Sequence, residues 1–284
     1  MAMLPERSMV LTLVAGVLAA GCIGPASDIP DPKSQAVADV ASDEFKKGHL
    51  REALAKVNEA LELDRGNHEA ALLGAHIYLA FCARDASSSD CRFDDAERLA
   101  RLAVDKAPDY REAKNSLGVI LVHQKKYEDA IAVLKPLSED ILYSSPQMAW
   151  GNLGWAYLES EQLDLAIDAL RRSVAAQAAF CVGNHRLGLA YERKGDLQAA
   201  KAAFTRALET ERPECQRIQE AWEGRARVSE RLGLIEDARR DSKQCAKMSS
   251  GSPSGARCGS LLASLPVASA PAESTEAGPP AESS

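Results

Sequence analysis

The chain has 284 residues, 46% hydrophobic and 26% charged, enough apolar material to bury a sizeable core. Aromatic residues make up only 5% while alanine is abundant, a balance that suits closely packed helices better than a sheet. The formal net charge is −7 and Lys and Arg are scattered, so nothing in the composition recommends nucleic acid as a partner.

Near the N-terminus Arg7 precedes an apolar run from Met9 to Ala20. The run is too short to span a bilayer and reads as the apolar part of a signal peptide over residues 1–21. It ends in Leu18-Ala19-Ala20-Gly21-Cys22, which resembles a bacterial lipobox, with Ala19 where the usual Leu would stand. That resemblance implies cleavage before Cys22 and acylation of its thiol and new amine. Several acyl chains anchor stably where one does not. An ordinary signal peptide with a chance Cys is the competing reading. Ile23 is not the Asp associated with inner-membrane retention, which favours the periplasmic face of the outer membrane. Pro25, Pro30 and Pro32 are expected to keep residues 22–33 out of helix, as a semi-rigid tether.

Beyond the tether one pattern recurs, most clearly between Trp150 and Pro213. It reads Trp150, Leu153, Gly154, Tyr157, Ala166 and Leu170, and then, 34 residues on, Asn184, Leu187, Gly188, Tyr191, Ala200 and Phe204. This is the tetratricopeptide repeat pattern. Residues at i, i+3, i+4 and i+7 share a helical face, so each copy holds two amphipathic helices. Gly154 and Gly188 admit a close approach of the paired helix.

Other copies follow in order. The first uses Val40-Ala41, Phe45, Gly48, Ala53 and Val57, and the second Leu73-Gly74, Ile77, Ala96, Ala100 and Ala103. The second needs an insertion at 84–92, Ser-rich and flanked by Cys82 and Cys91. The third uses Leu117-Gly118, Leu121, Ala130 and Leu134, and the sixth Trp222, Ala226, Gly233 and Ala238. The expected fold is all-α, a right-handed superhelical solenoid of about six tetratricopeptide helix pairs over residues 34–250. Residues 251–266 are expected to fold back on it, and 267–284, all Ala, Pro, Ser, Glu and similar small or polar types, to be a disordered tail.

Seven cysteines minus Cys22 leave six, an even number suited to an oxidising compartment. Six cysteines allow fifteen connectivities, among which sequence alone does not choose; local geometry suggests Cys82–Cys91, Cys181–Cys215 and Cys245–Cys258 as a hypothesis, with free buried thiols as the alternative. Catalytic constellations are not evident. His49, His68, His76, His123 and His185 are dispersed, and there is no Cys-x-x-Cys, Gly-rich phosphate loop or nucleophile elbow. No enzyme, cofactor or metal role is expected.

The usable surface of such a solenoid is its concave groove, lined by the first helix of each repeat. With Leu153 and Leu187 counted as position seven, relatives place groove residues at positions two, five, nine, twelve and thirteen. Here these are Phe45, Tyr78, Leu79, Val119, Val122 and His123, then Met148, Trp155, Leu158, Val182, His185 and Leu189. The strip is apolar and lacks the Lys and Asn set with which some relatives clamp a C-terminal carboxylate. An exposed apolar strip marks an interaction site, and an amphipathic helix or extended peptide would fill it. The competing reading is that superhelical packing buries several of these residues or that the tether covers them.

Six such repeats in a lipoprotein resemble the type IV pilus biogenesis lipoproteins, the secretin pilotins of the Tgl, PilF and PilW type. Asn115-Ser116-Leu117-Gly118, Tyr127-Glu128-Asp129-Ala130 and the lengthened junction from Asp140 to Pro146 are similar to that family's third repeat and its link to the fourth. The resemblance implies a protein that escorts the pilus secretin to the outer membrane and promotes its multimerisation. Two rivals are an envelope adaptor recruiting a protease or peptidoglycan enzyme, and a structural lipoprotein of the outer-membrane assembly machinery.

Overall fold

The computed structural model describes residues 29–210 and 212–266. The signal peptide, Cys22, most of the tether and residues 267–284 lie outside the described residues.

Apolar residues spaced three and four apart produce thirteen α-helices and one 3-10 turn among the described residues, with no strand. The helices come in pairs, α1 (Pro32–Lys47) with α2 (Leu50–Leu63), then α3 (His68–Arg84) with α4 (Phe93–Lys106). Next are α5 (Arg111–His123) with α6 (Tyr127–Ser138), and α7 (Pro146–Glu159) with α8 (Leu163–Ala176). The last pairs are α9 (Cys181–Lys194) with α10 (Leu197–Leu208), and α11 (Gln219–Arg231) with α12 (Ile235–Met248), followed by α13 (Pro253–Ser264).

Local chemistry sets the helix ends. Asp31 caps α1 by accepting from the Lys33 and Ser34 amides, with Pro32 as the first helical residue. The tether therefore stops two residues earlier than expected. Proline bars a helix interior but suits its first turn, where its missing N–H has no partner to lose. Gly48, Gly195 and Gly233 end the first helices of three pairs at φ of +83°, +88° and +74°. Lys125 and Glu161 make the corresponding turns at φ 61° and 60°, a left-handed conformation that costs a side-chain-bearing residue about 1 kcal/mol.

The two helices of a pair meet at small residues. A Cβ on Gly154 would lie 2.5 Å from Leu170 Cγ, and one on Gly188 2.7 Å from the Phe204 ring. Overpacking of that kind costs about 1–3 kcal/mol. One apolar cluster runs continuously from Ala41 to Ala203. First helices of successive pairs touch (α1 with α3, α3 with α5, α5 with α7, α7 with α9, α9 with α11), while successive second helices pack much less. A stack drawn together along one set of helices curves toward that set. The inner face is thus built from α1, α3, α5, α7, α9 and α11.

The insertion occupies the α3–α4 turn. Cys82–Cys91 closes its neck, Arg84 donates to the Gly48 carbonyl at 2.9 Å, and Asp90 pairs with Arg51 of α2 at 2.7 Å. Cys181–Cys215 and Cys245–Cys258 complete the pairing expected from sequence, and the free-thiol alternative falls. The junction before α7 is held at both ends. Asp140 accepts from Arg111 Nε at 2.7 Å and from the Leu142 amide at 2.9 Å. Tyr143 is buried, which pushes its hydroxyl up to about 12. At the far end α13 packs across α11 and α12.

Candidate functional site

Along a helix, positions two and nine fall nearly in line, and positions five and twelve form a second stripe roughly 60° round. On the first stripe Met148 and Val182 are 40% and 36% exposed, and Val119, Trp155 and Leu189 are half-buried. Phe45 and Leu79 are half-buried as well, and His123 is exposed. On the second stripe Tyr78, Val122 and Leu158 are buried, at 7%, 3% and 0% exposure. Among that stripe's assigned residues Phe45 and His185 keep partial exposure. The expectation that Tyr78, Val122 and Leu158 face a partner is therefore corrected. Their stripe turns toward the adjoining repeat, and all three belong to the continuous core. Access is left to a narrower apolar row on α5, α7 and α9.

Beside that row lies polar chemistry that the groove assignment omitted. Arg186 of α9 reaches back to α7, where Nη1 donates to the Gly151 carbonyl at 3.1 Å and to Asn152 Oδ1 at 2.8 Å. Asn152 Nδ2 in turn donates to Asn115 Oδ1 of α5 at 2.9 Å. The relay crosses three repeats. The guanidinium carbon of Arg186 stands 4.4 Å from the Trp155 ring centre, within cation–π range. His123 meets the same indole edge-on at 5.0 Å and stacks on Phe93 of α4 at 5.3 Å. Each member sits next to a Leu-Gly pair: Asn115-Ser116 before Leu117-Gly118, Asn152 before Leu153-Gly154, Arg186 before Leu187-Gly188. Polar residues at that place were the available signal.

Burial sets the electrostatics. It lowers the Arg186 guanidinium to about 10, with Glu159 pulling the other way, so the group remains charged at neutral pH. His185 is brought down to about 4, first by burial and then by the Arg186 charge. His123 is lowered by the same two causes. The His185 imidazole is therefore neutral at pH 7 and does not offset Arg186.

Toward the C-terminus the inner face narrows to a cavity of about 370 Å³ lined by His185, Leu189, Glu220, Glu223, Arg227 and Arg257. Arg257 comes from α13 and holds Glu223 through two hydrogen bonds of 2.6 and 2.8 Å. Arg227 holds Glu192 at 2.7 and 2.8 Å. Among the described residues no group of three or more His, Cys, Asp or Glu is placed to hold a metal ion. No described helix is long and apolar enough to cross a membrane.

Two models of the tetratricopeptide repeat match the chain, one at residues 92–135 and 185–243 and the other at 149–180. Among solved structures, PilW, a widely conserved type IV pilus biogenesis factor, superposes with a TM-score of 0.67 at 22% identity, covering 80% of this chain and 98% of that one. PilF of Pseudomonas aeruginosa gives 0.62 at 17% identity, covering 80% and 96%. A tetratricopeptide repeat protein of Parabacteroides merdae gives 0.62 at 15% identity, covering 81% and 83%. At such identities the likeness establishes the fold. No curated protein matches the chain in sequence.

Proposed function

Since the chain is a tetratricopeptide-repeat protein, we propose that it works by holding a segment of another protein against its inner face. We infer further that it acts as a pilotin, tied to the outer membrane through acyl chains on Cys22 and escorting the type IV pilus secretin. One observation carries the binding role: the half-open apolar row of Val119, Trp155 and Leu189, with Met148 and Val182 exposed beside it, on the inner side of the stack. The pilotin reading is supported by the lipobox-like ending at Cys22 and by the shared architecture with PilW and PilF. Acyl chains would carry the complex to the membrane while the row shields an aggregation-prone client segment.

The test is affinity capture from detergent-solubilised envelope. The wild type is expected to bring the secretin with it, and Trp155→Glu to reduce the yield at least about 10-fold, as for an aromatic anchor at an interface, with helicity retained. Cys22→Ala is expected to give a folded, mislocalised protein and few secretin multimers. Undiminished capture by Trp155→Glu would remove the docking row, and normal multimer levels with Cys22→Ala would remove the pilotin role.

A further inference from the structure

We propose that the turn after α6 seats in a cavity on the outer face of a second copy of this chain, so that two copies pair reciprocally along one edge of the stack. This goes beyond the inner-face docking role and does not depend on it.

The inserting element is the turn from Glu139 to Leu142. Ile141 and Leu142, adjacent in sequence, are 95% and 71% exposed. Single exposed apolar residues are ordinary, but this pair is held out by a fixed frame. Asp140 accepts from Arg111 Nε at 2.7 Å and from the Leu142 amide at 2.9 Å. The Tyr143 amide donates to the Asp140 carbonyl at 3.1 Å, and the Tyr143 side chain is buried. A turn already fixed in shape loses little freedom on binding.

The receiving element is a cavity of about 600 Å³ between α2 and α4. Leu61, Leu99 and Leu102 give it an apolar lining, and Arg65, Arg98 and Lys106 stand around it against one acid, Glu62. Arg98 is engaged by Asp95 at 3.1 Å, whereas Arg65 has no ion pair among the described residues. Lys106 meets only the exposed Asp105 at 3.0 Å, a surface contact worth little. The mouth therefore carries surplus positive charge. The turn brings the opposite sign: Glu139, which has no ion pair among the described residues, and Asp140 directly precede the aliphatic pair. Aliphatic side chains meet leucines while acids meet cations, a match in both polarity and charge.

Placement makes the occupant a second copy. The near-complete exposure of Ile141 shows that the turn does not reach the cavity of its own chain. As equivalent members of successive pairs, α2, α4 and α6 run in the same direction, so their C-terminal ends share one edge. The cavity is bounded by those ends of α2 and α4, and the turn leaves the same end of α6. Two copies related by a two-fold axis along that edge would make the contact twice, each turn in the other's cavity. The inner row of Val119, Trp155 and Leu189 stays open in such a pair.

The test mixes equal amounts of isotope-labelled and unlabelled full-length protein in detergent and treats them with a carbodiimide, which joins an amine to a carboxylate in direct contact. Mass spectrometry of the digest is expected to find Lys106 joined to Glu139 in peptides of mixed label. Ile141→Ser with Leu142→Ser leaves both linking groups in place and should lower that yield at least about 10-fold, as for an anchor at an interface. Both residues are exposed, so helicity should not change. Arg65→Glu, which also spares the linking groups, should lower it several-fold, and added salt should weaken the wild-type link. An absent link, a link confined to single-label peptides, or a yield unchanged by the double serine variant overturns the pairing. So does treatment of intact envelopes that joins Lys106 to a different protein and never to Glu139. Each of those results leaves the inner-face docking role standing, since Trp155→Glu tests that separately.

Discussion

Two stretches of one inner face treat arginine in opposite ways. At the C-terminal end the cations are matched with acids. Arg225 of α11 meets Asp241 of α12 at 2.7 and 3.0 Å, Arg227 meets Glu192, and Arg257 meets Glu223. Arg225 and Asp241 are almost fully enclosed, with side-chain exposures of 8% and 0%. In the middle of the face, Arg186 is met by a carbonyl, an amide oxygen and an indole. The matched end behaves as a cap: its charges cancel internally, α13 is clamped by Cys245–Cys258 and Arg257, and the last repeat is sealed. The middle keeps one charge uncancelled beside an open apolar row. The matched arginines close the solenoid, and Arg186 borders its open row.

Removing an acid from the cap is the strongest way to test this contrast. Asp241→Ala leaves Arg225 with only the exposed Glu209 at 3.5 Å and the Trp222 ring, and should cost about 3 kcal/mol, the low end for breaking a buried pair from one side. Chemical denaturation measures it, and inner-face peptide affinity should be unchanged in the folded protein. A loss under 1 kcal/mol would mean that the pair is better hydrated than its enclosure indicates.

His185 lies at the border of the two stretches and supplies a pH readout. Its folded pKa of about 4 lies below the ordinary 6.5, so the unfolded chain binds the proton first as pH falls. Its contribution to stability is therefore full above pH 6.5 and is lost as pH drops from 6.5 toward 4, by about 3 kcal/mol at most. Comparing stability against pH for the wild type and His185→Gln isolates this effect from the carboxylates. Parallel curves would show that His185 is not buried neutral.

The smallest effect on stability belongs to the middle. Arg186→Gln loses hydrogen bonds and a cation–π contact worth about 1 kcal/mol each but also removes a half-buried charge that has no acid partner among the described residues. Its net change should stay within about 1 kcal/mol by the same denaturation assay. A loss as large as that of Asp241→Ala would make Arg186 a structural residue and erase the contrast.

The sequence resolved these regions unevenly. Periodic Leu-Gly and Ala positions located every helix pair, because packing within a pair depends on residues a few positions apart. Spacing suggested the cysteine pairs, since Cys82 and Cys91 flank one insertion and Cys181 and Cys215 sit one repeat apart, but the fold was needed to choose among the fifteen connectivities. Pro32 was misread because the cap at Asp31, which turns a barrier into a first turn, lies outside any periodicity. The apolar groove was half right. Trp155 and Leu189 stay open to the inner face while Leu158, three residues from Trp155, is lost in the core. Arg186 escaped notice because a polar residue next to a Leu-Gly pair reads as solvated surface.

By itself the sequence determined the repeat register and suggested the disulfide pairs, both consequences of local spacing. Only the tertiary structure decided which side chains face inward and which charge goes unanswered. Those depend on how far one repeat rotates against the next, and that rotation brings Arg186, Asn152 and Asn115 together from three separate helices.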